Sequence, residues 1–185
     1  MEKQIITENK IMRTEKWDIL DADGLPTGKT TVRGRCYLKH GEYHLVVHIW
    51  IVSSDGKILL QRRADNKALM PGEWAATGGA AISGEDSFTA ARRELSEELG
   101  IYSTADTLKL IKRIKRRNSL LDVWIIKKDI ALHSLRLQKS EVAEAKWVSF
   151  DELLQMIKNG TFHNYGEEYF DCVLSKIAEY KGAYV

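Results

Sequence analysis

The chain has 185 residues, a hydrophobic content of 44% and a charged content of 29%, which is typical of one globular domain with a sizeable core. Its formal net charge is only +2, so the overall charge gives no indication of nucleic-acid binding. No apolar run approaches membrane-spanning length, and the first residues do not resemble a signal peptide. The two distant cysteines, Cys36 and Cys172, are expected to be reduced thiols in a cytoplasmic protein.

The N-terminal part predicts a polar extension over residues 1–13, followed by one domain over residues 14–185. Turn residues at 23–28 separate two short strands, one containing Trp17 and Ile19 and the other containing Val32. The Trp17 side chain can serve either as a packing residue or as a surface on which a substrate stacks.

Residues 43–52 form an apolar run that predicts a buried strand, and residues 57–63 predict its hairpin partner after a turn at 54–56. Gln61, Arg62, Arg63 and Lys67 lie at the end of this hairpin. Arginine pairs bidentately with phosphate oxygens and lysine acts as a point charge, so this group is predicted to bind phosphate. The alternative is a solvated strand end.

A glycine-rich loop, residues 78–84, leads into a predicted helix that begins near Ser87 and ends at Gly100. Ser87 is a plausible N-cap, and Gly100 stands where a helix commonly ends in a left-handed residue. Phe88, Ala91, Leu95 and Leu99 recur at helical spacing and predict the buried side of this helix.

The other side of the helix carries three glutamates, Glu94, Glu97 and Glu98, at the i, i+3 and i+4 positions. Their side chains converge on one face and repel one another. A hard divalent cation such as Mg²⁺ would relieve this repulsion, because it prefers oxygen ligands. Glu85 is placed either to orient Arg93 or to join the ligands. A solvated helix held by ordinary ion pairs is the alternative, but it does not explain the glycine loop, Arg93 and Gly100 together.

This stretch resembles the Nudix box, Gly-x5-Glu-x7-Arg-Glu-hydrophobic-x-Glu-Glu-x-Gly-hydrophobic, and residues 79–101 fill every specified position. The resemblance implies an α/β fold, an α/β/α sandwich around a central mixed β-sheet. It also implies Mg²⁺- or Mn²⁺-dependent cleavage of a diphosphate that is linked to another group. Similar enzymes suggest that the carbonyl of Gly78 adds a metal ligand to Glu94, Glu97 and Glu98.

The frame of residues 15–150 is also similar to a Nudix subgroup related to type 1 isopentenyl-diphosphate isomerase. In that family the histidine matching His44 is a metal ligand, although His44 and His48 can equally be packing residues on one face of a strand. The isomerase also needs a Cys-Gly-His pattern ahead of the box, where this chain has Gly78, Gly79 and Ala80. Since these residues offer no acid to protonate an alkene, hydrolysis is the favoured reaction.

Residues 108–117 form a strand rich in lysine and arginine, and residues 120–126 predict its partner. The basic residues can guard a sheet edge, attract a negatively charged substrate or, least plausibly, bind nucleic acid. The next predicted strand, residues 141–148, runs into a helix with a capping box at Ser149 and Glu152. A final amphipathic helix is predicted over about 166–181.

Nudix hydrolases often use a glutamate outside the box as an extra ligand or base, and Glu141, or Glu144 in its place, fits that description. Glu98, Glu97 or Glu141 would take the proton from water, Arg93 would orient the glutamates through Glu85, and Arg62, Arg63 and Lys67 would stabilise phosphate. Nucleoside diphosphates and their derivatives are the expected substrates, with prenyl diphosphates second. An isomerase, or a non-catalytic domain that binds a nucleotide or a partner protein, is the alternative. The family also suggests a homodimer.

Overall fold

A computed structural model of the protein describes residues 15–34 and 38–182. The predicted extension over residues 1–13 and Cys36 lie outside the described residues. The elements, in chain order, are β1 (Lys16–Leu20), β2 (Pro26–Val32), β3 (His44–Val52), β4 (Ile58–Arg63), β5 (Trp74–Ala75), β6 (Thr77–Ala80), α1 (Ser87–Leu99), β7 (Leu108–Lys115), β8 (Ser119–Lys127), a 3-10 turn (Leu132–Ser134), β9 (Val142–Val148), α2 (Phe150–Lys158) and α3 (Glu167–Gly182).

Seven strands form a mixed sheet in which β3 is central. β3 pairs in parallel with β8 along its whole length on one edge, and residues 46–49 pair antiparallel with β6 on the other edge. Its last two residues pair with β4, which in turn pairs with β5 and β9. Strands β1 and β2 form a separate antiparallel hairpin that joins β3 through the bridge between Leu20 and Tyr43.

Both faces of β3 are covered, because successive side chains of a strand point to opposite sides. Leu45, Val47 and Ile49 pack in one hydrophobic core with residues of α1, including Leu95 and Leu99. Trp50 and Val52 pack in a second core with residues of α2 and α3: Leu153, Met156, Tyr169, Phe170, Val173 and Ile177. The arrangement is the α/β/α sandwich with a central mixed sheet that the sequence predicts, and the fold class is confirmed.

The cap of α1 differs from the sequence prediction. Asp86, not Ser87, is the N-cap, and its carboxylate accepts a hydrogen bond from the Thr89 N–H at 2.7 Å. Ser87 is the first helical residue, and its hydroxyl instead accepts a hydrogen bond from Trp124 Nε1 at 2.9 Å. An aspartate directly before the helix is as good a cap as serine, and Trp124 of β8 takes the serine hydroxyl. The helix ends as predicted, with Gly100 at φ +70°.

Half of the predicted capping box of α2 is present, since the Ser149 hydroxyl accepts a hydrogen bond from the Glu152 N–H. The Glu152 carboxylate accepts instead from Lys146 Nζ at 3.0 Å. Among the described helices, none has both the length and the apolar character needed to cross a membrane.

Candidate active site

The glycines of β6 bring the helix α1 glutamates to the sheet edge. A Cβ on Gly79 would lie 2.7 Å from the carboxyl carbon of Glu94, and a Cβ on Gly78 would collide with the Val47 carbonyl oxygen. The backbone of β6 therefore lies in direct contact with the Glu94 carboxyl group, an approach that any side chain at position 79 would block. The Gly78 N–H also faces Glu98 Oε2, at 3.4 Å.

Arg93 links the acidic residues of the loop and the helix. Its Nε and Nη2 donate to the Glu85 carboxylate at 2.8 and 3.1 Å, the bidentate geometry that guanidinium and carboxylate groups favour. Its Nη1 donates to Glu94 Oε1 at 2.9 Å and to Glu97 Oε2 at 3.1 Å. Burial opposes the charge of Arg93, but these acidic partners raise its pKa overall. The predicted orientation of Arg93 by Glu85 agrees with this geometry.

Two of the three box glutamates are buried. Glu94 is 9% exposed and Glu98 is 3% exposed, whereas the Glu97 side chain is 52% exposed. Burial raises the pKa of Glu94 to about 7, although Arg93 opposes the shift. Burial, together with the nearby charge of Glu94, raises the pKa of Glu98 to about 8. The fold thus holds two carboxyl groups whose ionised forms lack sufficient compensating charge.

The box glutamates have the right chemistry for a divalent cation, although they are not arranged around one position. Within residues 15–34 and 38–182, no three acidic, histidine or cysteine side chains are arranged around a common metal position, and Arg93 Nη1 bonds both Glu94 and Glu97. The donor set nevertheless fits Mg²⁺ or Mn²⁺, since carboxylate oxygens are the preferred ligands of hard cations. A cation would also supply the positive charge that Glu94 and Glu98 lack.

The glutamates open into a cleft of about 330 Å³. The β1–β2 hairpin contributes Trp17 and Arg33 to its wall, and β3 contributes Val46 and His48. The remaining lining comes from the end of β4, from β6, from α1 and from several loops: Glu15, Arg63, Leu69, Met70, Gly78, Gly79, Ala80, Arg93, Glu94, Glu97, Glu98, Arg116, Gln138, Glu141, His163 and Tyr165. The predicted helix glutamates, Gly78 and Glu141 therefore share one cavity.

The three cations predicted to bind phosphate each contact protein groups in this structure. Arg62 Nη1 bonds Asp65 at 2.9 Å, and its Nε lies 3.4 Å from Glu144. Lys67 Nζ contacts Glu141 at 2.6 Å. Of the predicted three, only Arg63 lines the cleft. Gln61 is not among the residues that line the cleft, but its amide donates to Glu98 Oε2 at 3.0 Å.

Arg63 is also held by protein groups. Its Nε donates to the Leu69 carbonyl oxygen at 2.8 Å, and its Nη1 lies 3.7 Å from Glu141. Glu141 therefore has two basic neighbours, Arg63 and Lys67, at the cleft wall. Glu144, the second candidate from the sequence, is not among the cleft residues and pairs with Arg62.

His44 and His48 point to the face of β3 that the cleft shares, but they have different partners. His44 stacks on Trp17 with ring centroids 4.4 Å apart. His48 Nδ1 lies 3.0 Å from the Tyr169 hydroxyl, which also accepts a hydrogen bond from Trp50 Nε1 at 2.8 Å. Burial, with the positive charges of Arg116 and His163, lowers the pKa of His48 to about 3. His48 is therefore neutral, and Trp17 combines packing on His44 with a place in the cleft wall.

Several cleft residues were not singled out by the sequence, among them Arg116, His163 and Tyr165. Arg116 was only one member of the basic stretch, and its neighbourhood depends on the parallel register of β3 with β8. His163 Nδ1 lies 2.6 Å from Glu73 Oε2, and its ring packs edge-on against Tyr165. No local pattern indicates the contact between His163 and Glu73, because these residues are far apart in the chain.

Comparisons with known proteins show the family of this chain. A sequence model described as the NUDIX domain matches residues 42–167. An uncharacterised Nudix hydrolase of Listeria monocytogenes is 39% identical over 152 residues, which cover 82% of this chain and 89% of that protein.

Solved structures show the same fold. The crystal structure of DR0079 from Deinococcus radiodurans superposes with a TM-score of 0.69 at 21% identity, covering 92% of this chain and all of that one. The NUDIX domain of NrtR from Shewanella oneidensis, solved in complex with ADP ribose, has a TM-score of 0.51 at 18% identity, over 61% of this chain and 77% of that one. The complete box, the fold and these relatives together show that the chain belongs to the Nudix hydrolase family, whose members cleave phosphoanhydride bonds and generally need divalent metal ions.

Proposed function

We propose that this protein is a metal-dependent pyrophosphohydrolase of nucleoside-diphosphate-type compounds, either X–diphosphate–Y or a terminal diphosphate. The observation that carries the proposal is the pair of buried carboxyl groups, Glu94 and Glu98, at the glycine edge of the cleft. Burying carboxyl groups without full compensation disfavours folding. A cationic ligand, together with an anionic substrate, therefore best explains why two carboxyl groups are buried at Glu94 and Glu98.

Mg²⁺ or Mn²⁺ is the proposed cofactor, with Glu94, Glu97, Glu98 and the Gly78 carbonyl as its ligands. When bound, the cation would offset the negative charge of the phosphate oxygens and acidify the attacking water. Glu97 is half exposed, so it is the box glutamate with most freedom to leave Arg93 and turn toward the cation. Arg93 stays bonded to Glu85 and positions Glu94.

In the proposed reaction, the oxygen of water forms a bond to one phosphorus while the bond from that phosphorus to the bridging oxygen breaks. The bridging oxygen leaves with the other phosphate. Glu98, Glu97 and Glu141 are the candidate acceptors of the water proton, and all three line the cleft. Glu141 contacts Lys67 at 2.6 Å, so its use as a base requires that this contact loosen.

The cleft supports a small-molecule substrate. Its volume of about 330 Å³ lies at the lower end of the usual range for ligand pockets, which begins at about 300 Å³. ADP ribose, the ligand of the Shewanella oneidensis domain, is a compound of the X–diphosphate–Y type and belongs first on a substrate panel. Gly78, Gly79 and Ala80 place no proton donor where the isomerase would need one, so nothing here favours isomerisation.

The test is release of phosphate and nucleotide from ADP ribose, nucleoside diphosphates, nucleoside triphosphates and isopentenyl diphosphate, with Mg²⁺ and with Mn²⁺. Wild type is compared with Glu97→Gln and Glu98→Gln. Glu179→Gln is the matched control, because Glu179 pairs with Lys176 on the exposed surface of α3. Metal-dependent release that collapses in the two box variants alone supports the proposal. No release by wild type from any compound would refute it.

A further inference from the structure

The arginines that line the cleft differ in whether a carboxylate lies close enough to pair with them. Arg33 pairs with Glu15 at 2.8 Å, Arg93 pairs with Glu85, and Arg63 lies 3.7 Å from Glu141. Arg116 forms no ion pair with any residue in the described ranges, 15–34 and 38–182. It is nonetheless half-buried and lines the cleft.

The sheet register places Arg116 across β3 from the box glutamates. Its N–H donates to the Ser119 carbonyl oxygen at 2.8 Å, and Ser119 pairs with His44 along the β8 edge of β3. Gly78 and Gly79, which contact Glu98 and Glu94, pair with β3 along the opposite edge. Strands β6 and β8 are separated by two inter-strand spacings, roughly 10 Å. One side of the cleft therefore carries the box glutamates, and the other side carries Arg116.

His48 lies between these two sides, on the strand that separates them. Trp50 Nε1 can only donate, so the Tyr169 oxygen accepts from it at 2.8 Å. His48 Nδ1 lies 3.0 Å from the same hydroxyl. Burial lowers the pKa of His48 and keeps its imidazole neutral, so the cationic role on this side of the cleft falls to Arg116.

We propose that Arg116 binds the second phosphoryl group of the substrate, the one that leaves with the bridging oxygen, while the box glutamates hold the cation at the attacked phosphorus. A half-buried guanidinium can donate two parallel hydrogen bonds to two oxygens of a phosphoryl group, and Arg116 has no carboxylate partner among the described residues. The protein would thus select compounds with two adjacent phosphoryl groups over phosphate monoesters. This inference deepens the proposed function and rests on it for the identity of the reaction.

The test is binding of methylenediphosphonate, which water cannot cleave at its carbon bridge, measured by isothermal titration calorimetry in Mg²⁺. Arg116→Gln is compared with Arg117→Gln, which removes the same charge from the next, exposed position of the same hairpin. Loss of a charge-assisted bidentate contact should weaken binding about tenfold or more in Arg116→Gln. Arg117→Gln should remain within about twofold of wild type, and methylphosphonate should bind weakly to all three proteins.

Equal affinity of Arg116→Gln and Arg117→Gln for methylenediphosphonate would overturn the inference, even if wild type hydrolyses the substrate panel. Binding that depends on Arg116 alone, in a protein that hydrolyses nothing, would support the inference while the proposed function fails. Arg116→Lys is the second variant if Arg116→Gln does not fold. It keeps the charge but not the planar fork, so it should bind methylenediphosphonate several-fold more weakly than wild type, and wild-type affinity in this variant would count against the inference.

Discussion

Gln61 Nε2 donates a hydrogen bond to Glu98 Oε2 at 3.0 Å, and these side chains are only 4% and 3% exposed. The sequence interpretation placed Gln61 among phosphate-binding residues, but its amide faces a box glutamate instead. The opposite atom, Gln61 Oε1, is buried without a partner among the described residues. The Gln61 side chain therefore bonds Glu98 through its Nε2, while its Oε1 stays without a hydrogen bond among the described residues.

Gln61→Leu should lower kcat/KM about tenfold, because Glu98 loses a charge-assisted hydrogen bond worth about 1.5–3 kcal/mol. The melting temperature should change little, since the same substitution removes the unpaired oxygen. Steady-state kinetics with differential scanning calorimetry would check both values. A variant that is as active as wild type would show that Gln61 only packs.

The Nudix box could be predicted from the sequence because local spacing sets the positions of its residues. The contacts between residues far apart in the chain could not be predicted in this way. Glu94, Glu97 and Glu98 share a face because helix geometry fixes the i, i+3 and i+4 positions. The partners of Lys67 and the position of Arg116 depend instead on how distant loops and strands pair, as in the contact of Lys67 with Glu141. Residue type alone predicted three phosphate-binding cations, and the structure gives each a protein partner.

The stability of the metal-free protein should fall as pH rises from about 6.5 to 9. The pKa values of Glu94 and Glu98 rise to about 7 and about 8 in the folded state, from an ordinary value of 4.5, because burial disfavours their charged forms. In this window the folded state binds more protons than the unfolded state, so the free energy of unfolding decreases with pH. The lowered pKa values of His44 and His48 act below pH 6.5, outside this window.

Saturating Mg²⁺ should reverse this loss, since the cation stabilises the ionised carboxylates and displaces their protons. Denaturant unfolding at pH 6.5 and pH 9, with and without Mg²⁺, measures the effect. A Glu94→Gln/Glu98→Gln double variant should show a smaller pH dependence and no response to Mg²⁺, whereas Glu179→Gln should behave as wild type. An unchanged pH slope in the double variant would contradict the assignment.

Glu141→Gln discriminates between a base and a structural partner. If Glu141 accepts the proton of the attacking water, kcat should fall about 100-fold or more, with little change in KM. Lys67→Met should reduce kcat less, because it frees the Glu141 carboxylate from the contact at 2.6 Å without removing it. Rapid-quench and steady-state measurements on both variants check this order. A larger loss in Lys67→Met than in Glu141→Gln would assign the role to the lysine.

Arg113→Met should destabilise the protein while leaving the chemistry of the cleft intact. Asp122 on β8 is completely buried, and its two oxygens accept from Arg113 Nε and Nη2 at 2.6 and 2.7 Å. The Arg113 side chain is 43% exposed, so water screens part of the attraction, but the carboxylate would be left buried without its partner. A loss of about 1–3 kcal/mol in the free energy of unfolding follows.

The control for this pair is the double variant Arg113→Met/Asp122→Asn, which removes both charges together. It should recover part of the stability lost by Arg113→Met, because a neutral amide is less costly to bury than an unpaired carboxylate. Urea denaturation of wild type, both single variants and the double variant gives the coupling free energy. A coupling near zero would mean that Arg113 only guards the edge strand β7, which is one of the roles that the sequence predicts for its basic residues, and that Asp122 tolerates burial without it.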